Sequence, residues 1–308
     1  MKKNILLALF VCLSLNAKIE KFLIFGGKTG WIGKKLVEII QNQGYKAIAA
    51  SSRLENRESI LAEIEREKPD CIINAAGVTG RPNVDWCEDN KQETLRANIL
   101  GALNLADCAY LRDIYTINIG TGCIYEYDRE HKMYSGKGFT EEDEPNFDGS
   151  FYSWSKIMLD KLLQCYPNVL NLRLRMPISD DLHHRSLVTK ITKYEKVINI
   201  PNSMSVLYDL LPLIPKMAER GLTGNYNFVN PGAISHNEIL DLYTKYVDPS
   251  FTYKNFTVEE QDKILKARRS NNELDASKLL KEFPNILSIK DSMEKVFKRM
   301  SNNISIKA

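Results

Sequence analysis

Tyr152 and Lys156 stand four positions apart in the run Tyr152-Ser153-Trp154-Ser155-Lys156. That spacing sets a phenol and an ammonium on one face of a helix. A neighbouring positive charge favours phenolate, so the pair predicts a tyrosine pKa lowered from about 10 toward the working range of an acid/base. Thr121, upstream, can add a hydroxyl to the same site. Alone the pattern is weak, because an amphipathic tyrosine on a helix surface also satisfies it.

A second constellation, Gly27-Lys28-Thr29-Gly30-Trp31-Ile32-Gly33, spaces its glycines three apart. Such a loop between a strand and a helix turns tightly and lets the backbone approach a pyrophosphate. The helix start then supplies unpaired N–H groups and a positive dipole end. A Walker loop is excluded, since it needs a glycine five positions before Gly27 and Phe22 stands there. After the second strand, a carboxylate would bind the ribose hydroxyls of NAD, whereas an arginine suits the extra phosphate of NADP. The chain offers Ser51-Ser52-Arg53, with no acid until Glu55. The expectation is therefore NADPH in preference to NADH, with a solvated surface arginine as the alternative.

These residues need a scaffold of alternating strands and helices, and the apolar pattern provides one. Phe22–Phe25, Tyr45–Ala50, Cys71–Ala75, the stretch from Ile114 to Ile119 and Val169–Leu174 read as strands. Between them, apolar residues recur at helical spacing: Ile32, Leu36, Ile39 and Ile40; Ile60, Leu61 and Ile64; Leu95, Ile99, Leu103 and Ala106; Met158, Leu159, Leu162 and Leu163. The alternation predicts an α/β fold with a doubly wound parallel sheet of the Rossmann type. The dinucleotide-binding domain is expected over residues 20–176, followed by a smaller mixed substrate region over 177–300. Two capping boxes, Ser235…Glu238 and Thr257…Glu260, predict helices in that second region.

The composition is that of a globular protein, with 44% hydrophobic and 26% charged residues. A net charge of +3 without a basic block gives no reason to expect a nucleic-acid partner. Cys12, Cys71, Cys87, Cys108, Cys123 and Cys165 follow no zinc or disulfide spacing. Residues 1–17 run Met-Lys-Lys, an apolar stretch from Ile5 to Leu15, then Asn16-Ala17, the polarity order of a secretory signal. The stretch is too short for a membrane span, which needs about 20 apolar residues. Export stands against the cytoplasmic location that a reduced nicotinamide and a sugar nucleotide would require. A buried or disordered N-terminal extension is the remaining reading.

The glycine loop, the Tyr-x-x-x-Lys and the upstream Thr121 together resemble the extended short-chain dehydrogenase/reductases. Within them, Gly27–Gly33, Asn74–Glu88, Thr121–Asp128, Gly149–Ser153, Arg175–Ser179, Ile200–Ser203, Asn230–Glu238 and Ser270–Asp275 are similar to the nucleotide-rhamnose epimerase-reductases. The likeness runs from about Lys21 to Lys290. It implies 3,5-epimerisation of UDP-4-keto-6-deoxy-glucose followed by NADPH-dependent reduction at carbon 4, giving UDP-L-rhamnose. A separate 4,6-dehydratase would supply the keto-sugar, and homodimers are common in the superfamily.

Carried over residue by residue, the resemblance makes Tyr152 the acid at the carbon-4 oxygen. Lys156 becomes its tuner and the holder of the nicotinamide ribose, and Thr121 a second donor. It makes Cys123 and Lys190 the acid/base pair of epimerisation, residues that spacing alone would not select. It further implies Asn74, Ala75, Ala76 and Gly77 as a turn along the cofactor, and Pro177 and Ile178 beside the nicotinamide. Arg81, Asn83, Asp85 and Trp86 would line the sugar pocket, with Asn202 and Arg269 at the diphosphate. The adjacent His183-His184 cannot easily aim at one ion, so no metal is expected. The chain departs from the family in its doubled Gly26-Gly27, in a His183–Leu187 stretch one residue short, and in its leader. The alternatives are a 4-dehydrorhamnose reductase without epimerase activity and a non-catalytic, NADP-bound regulatory subunit.

Overall fold

A computed structural model describes residues 18–305, so the 1–17 leader lies outside the described residues. Six strands form one parallel sheet: β1 (Lys21–Phe25), β2 (Lys46–Ala49), β3 (Cys71–Asn74), β4 (Tyr115–Thr121), β5 (Val169–Leu174) and β6 (Gly224–Asn227). Their order across the sheet is β2-β1-β3-β4-β5-β6. Helices α1 (Trp31–Asn42), α2 (Arg57–Glu67), α3 (Gly101–Tyr110) and α4 (Phe151–Leu163) connect the first five strands.

The strands read as unbroken apolar runs because both faces are covered. Phe22 and Ile24 of β1 belong to one core with Leu36 and Ile40 of α1. Leu23 and Phe25 point the other way, into a core with Ile60 and Ile64 of α2 and Leu105 of α3. The chain leaves β1 toward β2 and then crosses back to β3, so the winding direction reverses between β1 and β3. Beyond the carboxyl ends of such neighbours lies the crevice where open α/β sheets take ligands.

The expected boundary at residue 176 is not a clean cut. Beyond it the chain builds a second core, with Ile178, Val188, Ile191, Met204, Ile239, Met293 and Phe297 all fully buried or nearly so. Yet Leu207, Leu210, Leu211, Ile214 and Met217 pack in the same core as β1, and β6 completes the sheet beside β5. Both predicted capping boxes form. Ser235 caps α5 (His236–Tyr246), Thr257 caps α6 (Val258–Ile264), and in each the glutamate reaches back to the cap N–H. Among the described residues the five cysteines are free thiols, and no helix is long and apolar enough to cross a membrane.

One polar feature crosses this apolar sheet. Asn74, Asn118, Asn171 and Asn225 stand in register on β3, β4, β5 and β6. Their buried amides donate in sequence, Asn74 to Asn118 at 2.9 Å and Asn118 to Asn171 at 2.7 Å. Asn171 in turn donates to Asn225 at 2.9 Å and to Asp160 of α4 at 2.8 Å. Asp160 also takes both prongs of the buried Arg173, at 2.9 and 2.8 Å. A buried amide without a partner costs about 1–3 kcal/mol, so each member holds the next in place. The ladder ties the end of β3 to the helix that carries Tyr152 and Lys156.

Candidate active site

The loop after β1 is tighter than its three spaced glycines require. Gly26, not singled out by that spacing, holds φ +82°, and a Cβ there would lie 2.7 Å from the carbonyl of Ala75. The doubled glycine therefore lets the β1 loop pass against the β3 turn. A Cβ on Gly33 would lie 2.3 Å from the Gly26 carbonyl oxygen, so α1 starts pressed into its own loop. That start has no side-chain cap and no acidic residue in its first turn, which leaves its positive end for an anion. The loop thus fits a dinucleotide diphosphate: Thr29 is exposed, Gly30 and Ile32 are half-buried, and Gly27 is buried. Trp31 is placed elsewhere: its ring is buried and stacks on His183 at 4.9 Å with 2° between planes.

After β2, the carboxylate of Glu63 on α2 accepts the backbone N–H groups of Ser51 and Ser52, at 2.8 and 2.7 Å. This buried acid, hidden in an otherwise apolar helix face, fixes the turn that presents Arg53. Arg53 and Arg96 line an open pocket of about 710 Å³ with Asn56, Arg57, Glu55 and Glu58. Arg57 is paired with Asp107, whereas Arg53 and Arg96 have no ion pair among the described residues. The turn after β3 is held from behind. Asn74 is buried and accepts the Ala76 N–H at 3.1 Å, so it supports the turn while Ala75, Ala76 and Gly77 form its face. Asn98, in a π-helical turn ahead of α3, clasps Val78 through both N–H and C=O, at 2.8 and 2.9 Å.

Helix α4 opens on Ser150, whose side chain accepts the Ser153 N–H. The Phe151 N–H donates to Glu88 at 2.7 Å, which anchors the helix start to the 83–88 segment. Tyr152, 7% exposed, and Lys156 follow one turn apart, with the ammonium 5.9 Å from the phenol ring centroid. The same ammonium lies 3.5 Å from where a Cβ on Gly77 would sit, so the glycine keeps the cofactor turn open beside it.

Here the structure corrects an expectation. Burial and the neighbouring Cys123 raise the Tyr152 pKa above its ordinary value, and the hydrogen bond from Thr121 only partly opposes them. Burial lowers Lys156 to about 8. Desolvation disfavours both charged forms and outweighs the attraction on which the sequence reading relied. At neutral pH the phenol keeps its proton and can give it away.

Thr121 ends β4, and its hydroxyl oxygen accepts the Cys123 N–H at 3.1 Å. The thiol, the hydroxyl and the phenol therefore share one corner. Cys123 also accepts a hydrogen bond of 3.0 Å from Nη1 of Arg175, a residue beyond β5 that sequence reasoning did not single out. Lys190 lies on the short helix Leu187–Ile191, half-buried, its pKa lowered by burial and then by Arg185.

Asp85 and Arg269, expected in different subsites, form one ion pair at 2.7 Å. Asn83 accepts the Asp85 N–H at 2.8 Å and shapes that turn, while Arg81 is exposed and Trp86 half-buried beside it. Two of the implied residues lie inside the protein. Asn202 is fully buried, and its carbonyl oxygen accepts from Arg175 and from the Asn272 N–H. Ile178 is fully buried in the second core, with its N–H and C=O both engaged, by Ser205 and Leu207. Of that pair only Pro177 remains partly open.

The chain matches the model of the NAD dependent epimerase/dehydratase family over residues 23–189. It is 56% identical over 288 residues to a bifunctional dTDP-4-dehydrorhamnose 3,5-epimerase/dTDP-4-dehydrorhamnose reductase of Arabidopsis thaliana, covering 93% of this chain and 95% of the relative. It is also 56% identical over 276 residues to a trifunctional UDP-glucose 4,6-dehydratase/UDP-4-keto-6-deoxy-D-glucose 3,5-epimerase/UDP-4-keto-L-rhamnose-reductase of the same plant. That match covers 89% of this chain but 41% of the longer protein. Among solved structures, a UDP-rhamnose synthase of Acanthamoeba polyphaga mimivirus superposes with a TM-score of 0.87 at 39% identity, covering 92% of this chain and 100% of that one.

Proposed function

Because the chain belongs to the NAD dependent epimerase/dehydratase family, we propose that it converts UDP-4-keto-6-deoxy-glucose to UDP-L-rhamnose by 3,5-epimerisation and NADPH-dependent 4-keto reduction. The observation that carries the reading is the corner where Thr121, Cys123 and a buried, protonated Tyr152 meet, with Lys156 one helical turn away. The relatives named for both activities support it at the level of the whole chain.

The ketone at carbon 4 makes the protons on carbons 3 and 5 acidic. The pair Cys123 and Lys190 removes a proton from one face and returns one to the other. As each C–H bond breaks, its electron pair passes into an enolate whose oxygen sits against Tyr152 and Thr121, donors placed as in an oxyanion hole. Bound NADPH supplies the hydride for carbon 4. Tyr152 gives its proton to the carbon-4 oxygen, and the Lys156 ammonium stabilises the phenolate that remains until a proton from solvent restores the phenol.

Lys156, reaching past Gly77, also holds the nicotinamide ribose. Arg53, which shares its pocket with Arg96, takes the extra phosphate of NADPH, a planar cation suited to a phosphate. The Asp85–Arg269 pair leaves the outer guanidinium nitrogen of Arg269 for the sugar nucleotide. A 4,6-dehydratase makes the keto-sugar, an activity named for the longer Arabidopsis relative.

Incubation with UDP-4-keto-6-deoxy-glucose and NADPH tests this directly. Cofactor oxidation with a UDP-rhamnose product is expected, and neither appearing overturns the reading. Reduction of pre-epimerised keto-sugar without solvent-deuterium uptake at carbons 3 and 5 would leave a reductase alone.

A further inference from the structure

Arg175 is 1% exposed and carries a full positive charge into the protein. No carboxylate lies within ion-pair distance of it among the described residues. Its partners are neutral acceptors: the carbonyl oxygen of Asn202, the backbone carbonyl of Ser270 at 2.6 Å, and the sulfur of Cys123 at 3.0 Å. Its Nε has no partner among the described residues. A buried guanidinium of this kind is costly unless an anion joins it during the working cycle. Of the three acceptors, only the sulfur can become one. The charge is felt nearby: burial and then Arg175 hold the half-buried His236 imidazole down at about 4.

The surroundings aim this cation and hold the sulfur. The Arg175 N–H donates to Ser205 at 2.9 Å, and the Ser205 N–H returns to the Arg175 carbonyl at 2.7 Å. Asn272 donates to the carbonyls of Gly122 and Tyr125, at 3.1 and 2.8 Å, and so grips the loop on both sides of Cys123.

We propose that Arg175 is the positioning residue of epimerisation, aiming the Cys123 sulfur and carrying its countercharge while the sulfur is without its proton. The inference rests on the epimerase reading above. In each inversion one C–H bond breaks as its proton passes to a base, and another forms on the opposite face from an acid. Whichever step Cys123 serves, its S–H bond forms or breaks, so the sulfur is an anion on one side of the transfer. Arg175 faces that anion without touching the sugar, because it is sealed behind Cys123.

The test uses the full chain as wild type, R175M and R175K. It follows solvent-deuterium uptake at carbons 3 and 5 of UDP-4-keto-6-deoxy-glucose and, separately, NADPH-dependent reduction of the pre-epimerised keto-sugar. In R175M uptake falls by about 100-fold or more, the scale of a lost acid/base function, while reduction falls by less than about 5-fold. R175K keeps the charge but cannot serve three acceptors in a plane, so uptake falls by roughly 10-fold and is partly rescued relative to R175M. Uptake at the wild-type rate in R175M overturns the proposal, and so does equal loss of both reactions in both variants, which marks a structural role. If R175M does not fold, R175K decides: unchanged uptake overturns the proposal, and selective loss of uptake supports it. Wild-type protein that reduces pre-epimerised sugar but takes up no deuterium overturns the epimerase reading itself, and this inference with it.

Discussion

The two ends of the pocket are built by opposite means. Tyr152 and Lys156 are desolvated, and burial pushes their pKa values in opposite directions, up for the phenol and down to about 8 for the amine. At the other end, Cys123 receives a hydrogen bond from a buried cation that a chain of long-range contacts holds in place. Burial alone suits a group that must stay neutral until it reacts. A group that must become an anion needs a charge beside it. The comparison teaches that the phenol and ammonium of the reducing end come from one turn of one helix, whereas the thiol's partners come from segments across the chain.

The largest expected effect comes from removing the group both ends share. Tyr152→Phe should lower reduction and deuterium uptake together, by about 10²–10⁴-fold, because the phenol serves the carbon-4 oxygen in both reactions. Steady-state cofactor oxidation and exchange followed by mass spectrometry check it, and loss of reduction alone would break the sharing.

Cys123→Ala should separate the ends, with uptake down about 10²-fold or more and reduction of the pre-epimerised sugar far less affected. Equal losses would show that the thiol is structural.

The Lys156 end carries a pH signature. Its ammonium is present below about 8, so reduction should fall as pH rises through that value, a limb missing in Lys156→Met against its own lower baseline. Stability runs the other way. The folded protein releases this proton near 8, whereas the unfolded chain keeps it to about 10.5, so the unfolded state binds more protons in that window. The burial penalty of Lys156 is therefore full below about 8 and fades toward about 10.5. Chemical denaturation across that range should show the slope in wild type and lose it in the variant.

Smaller effects sharpen the edges. Arg53→Ala should raise the KM for NADPH by about 10-fold and leave that for NADH nearly unchanged, the loss of one charge-assisted phosphate contact. Asn118→Leu interrupts the asparagine ladder that ties β3 to the helix of Tyr152 and Lys156. It should cost about 1–3 kcal/mol of stability by urea denaturation, without separating uptake from reduction. A selective loss of either reaction would show that the ladder aims that end in particular.

Much of the scaffold was legible because it depends on local periodicity. The strand at Val169–Leu174 and the caps at Ser235 and Thr257 fall where the residues predict them. The site was legible where a motif is short. Gly27 to Gly33 form one turn, and Tyr152 and Lys156 one helical face. It failed where a residue's role depends on what covers it. Asn202 and Ile178 match surface-lining segments by sequence but end up sealed, one under Arg175 and the other in the second core. Glu63 and Asn98 work through backbone groups 11 to 20 residues away, and an acid or amide in a helix pattern carries no mark of that.

Sequence alone determined the alternation of strand and helix, the anion-ready start of α1 and the phenol–ammonium pair. Each is set by φ/ψ preference and by which positions share a face within a few residues. Only the tertiary structure decided which way the phenol's proton equilibrium moves, and which cation meets the thiol. Both depend on how much water and which charges surround a group, and the segments that hold the thiol loop arrive from positions 52 to 150 residues away.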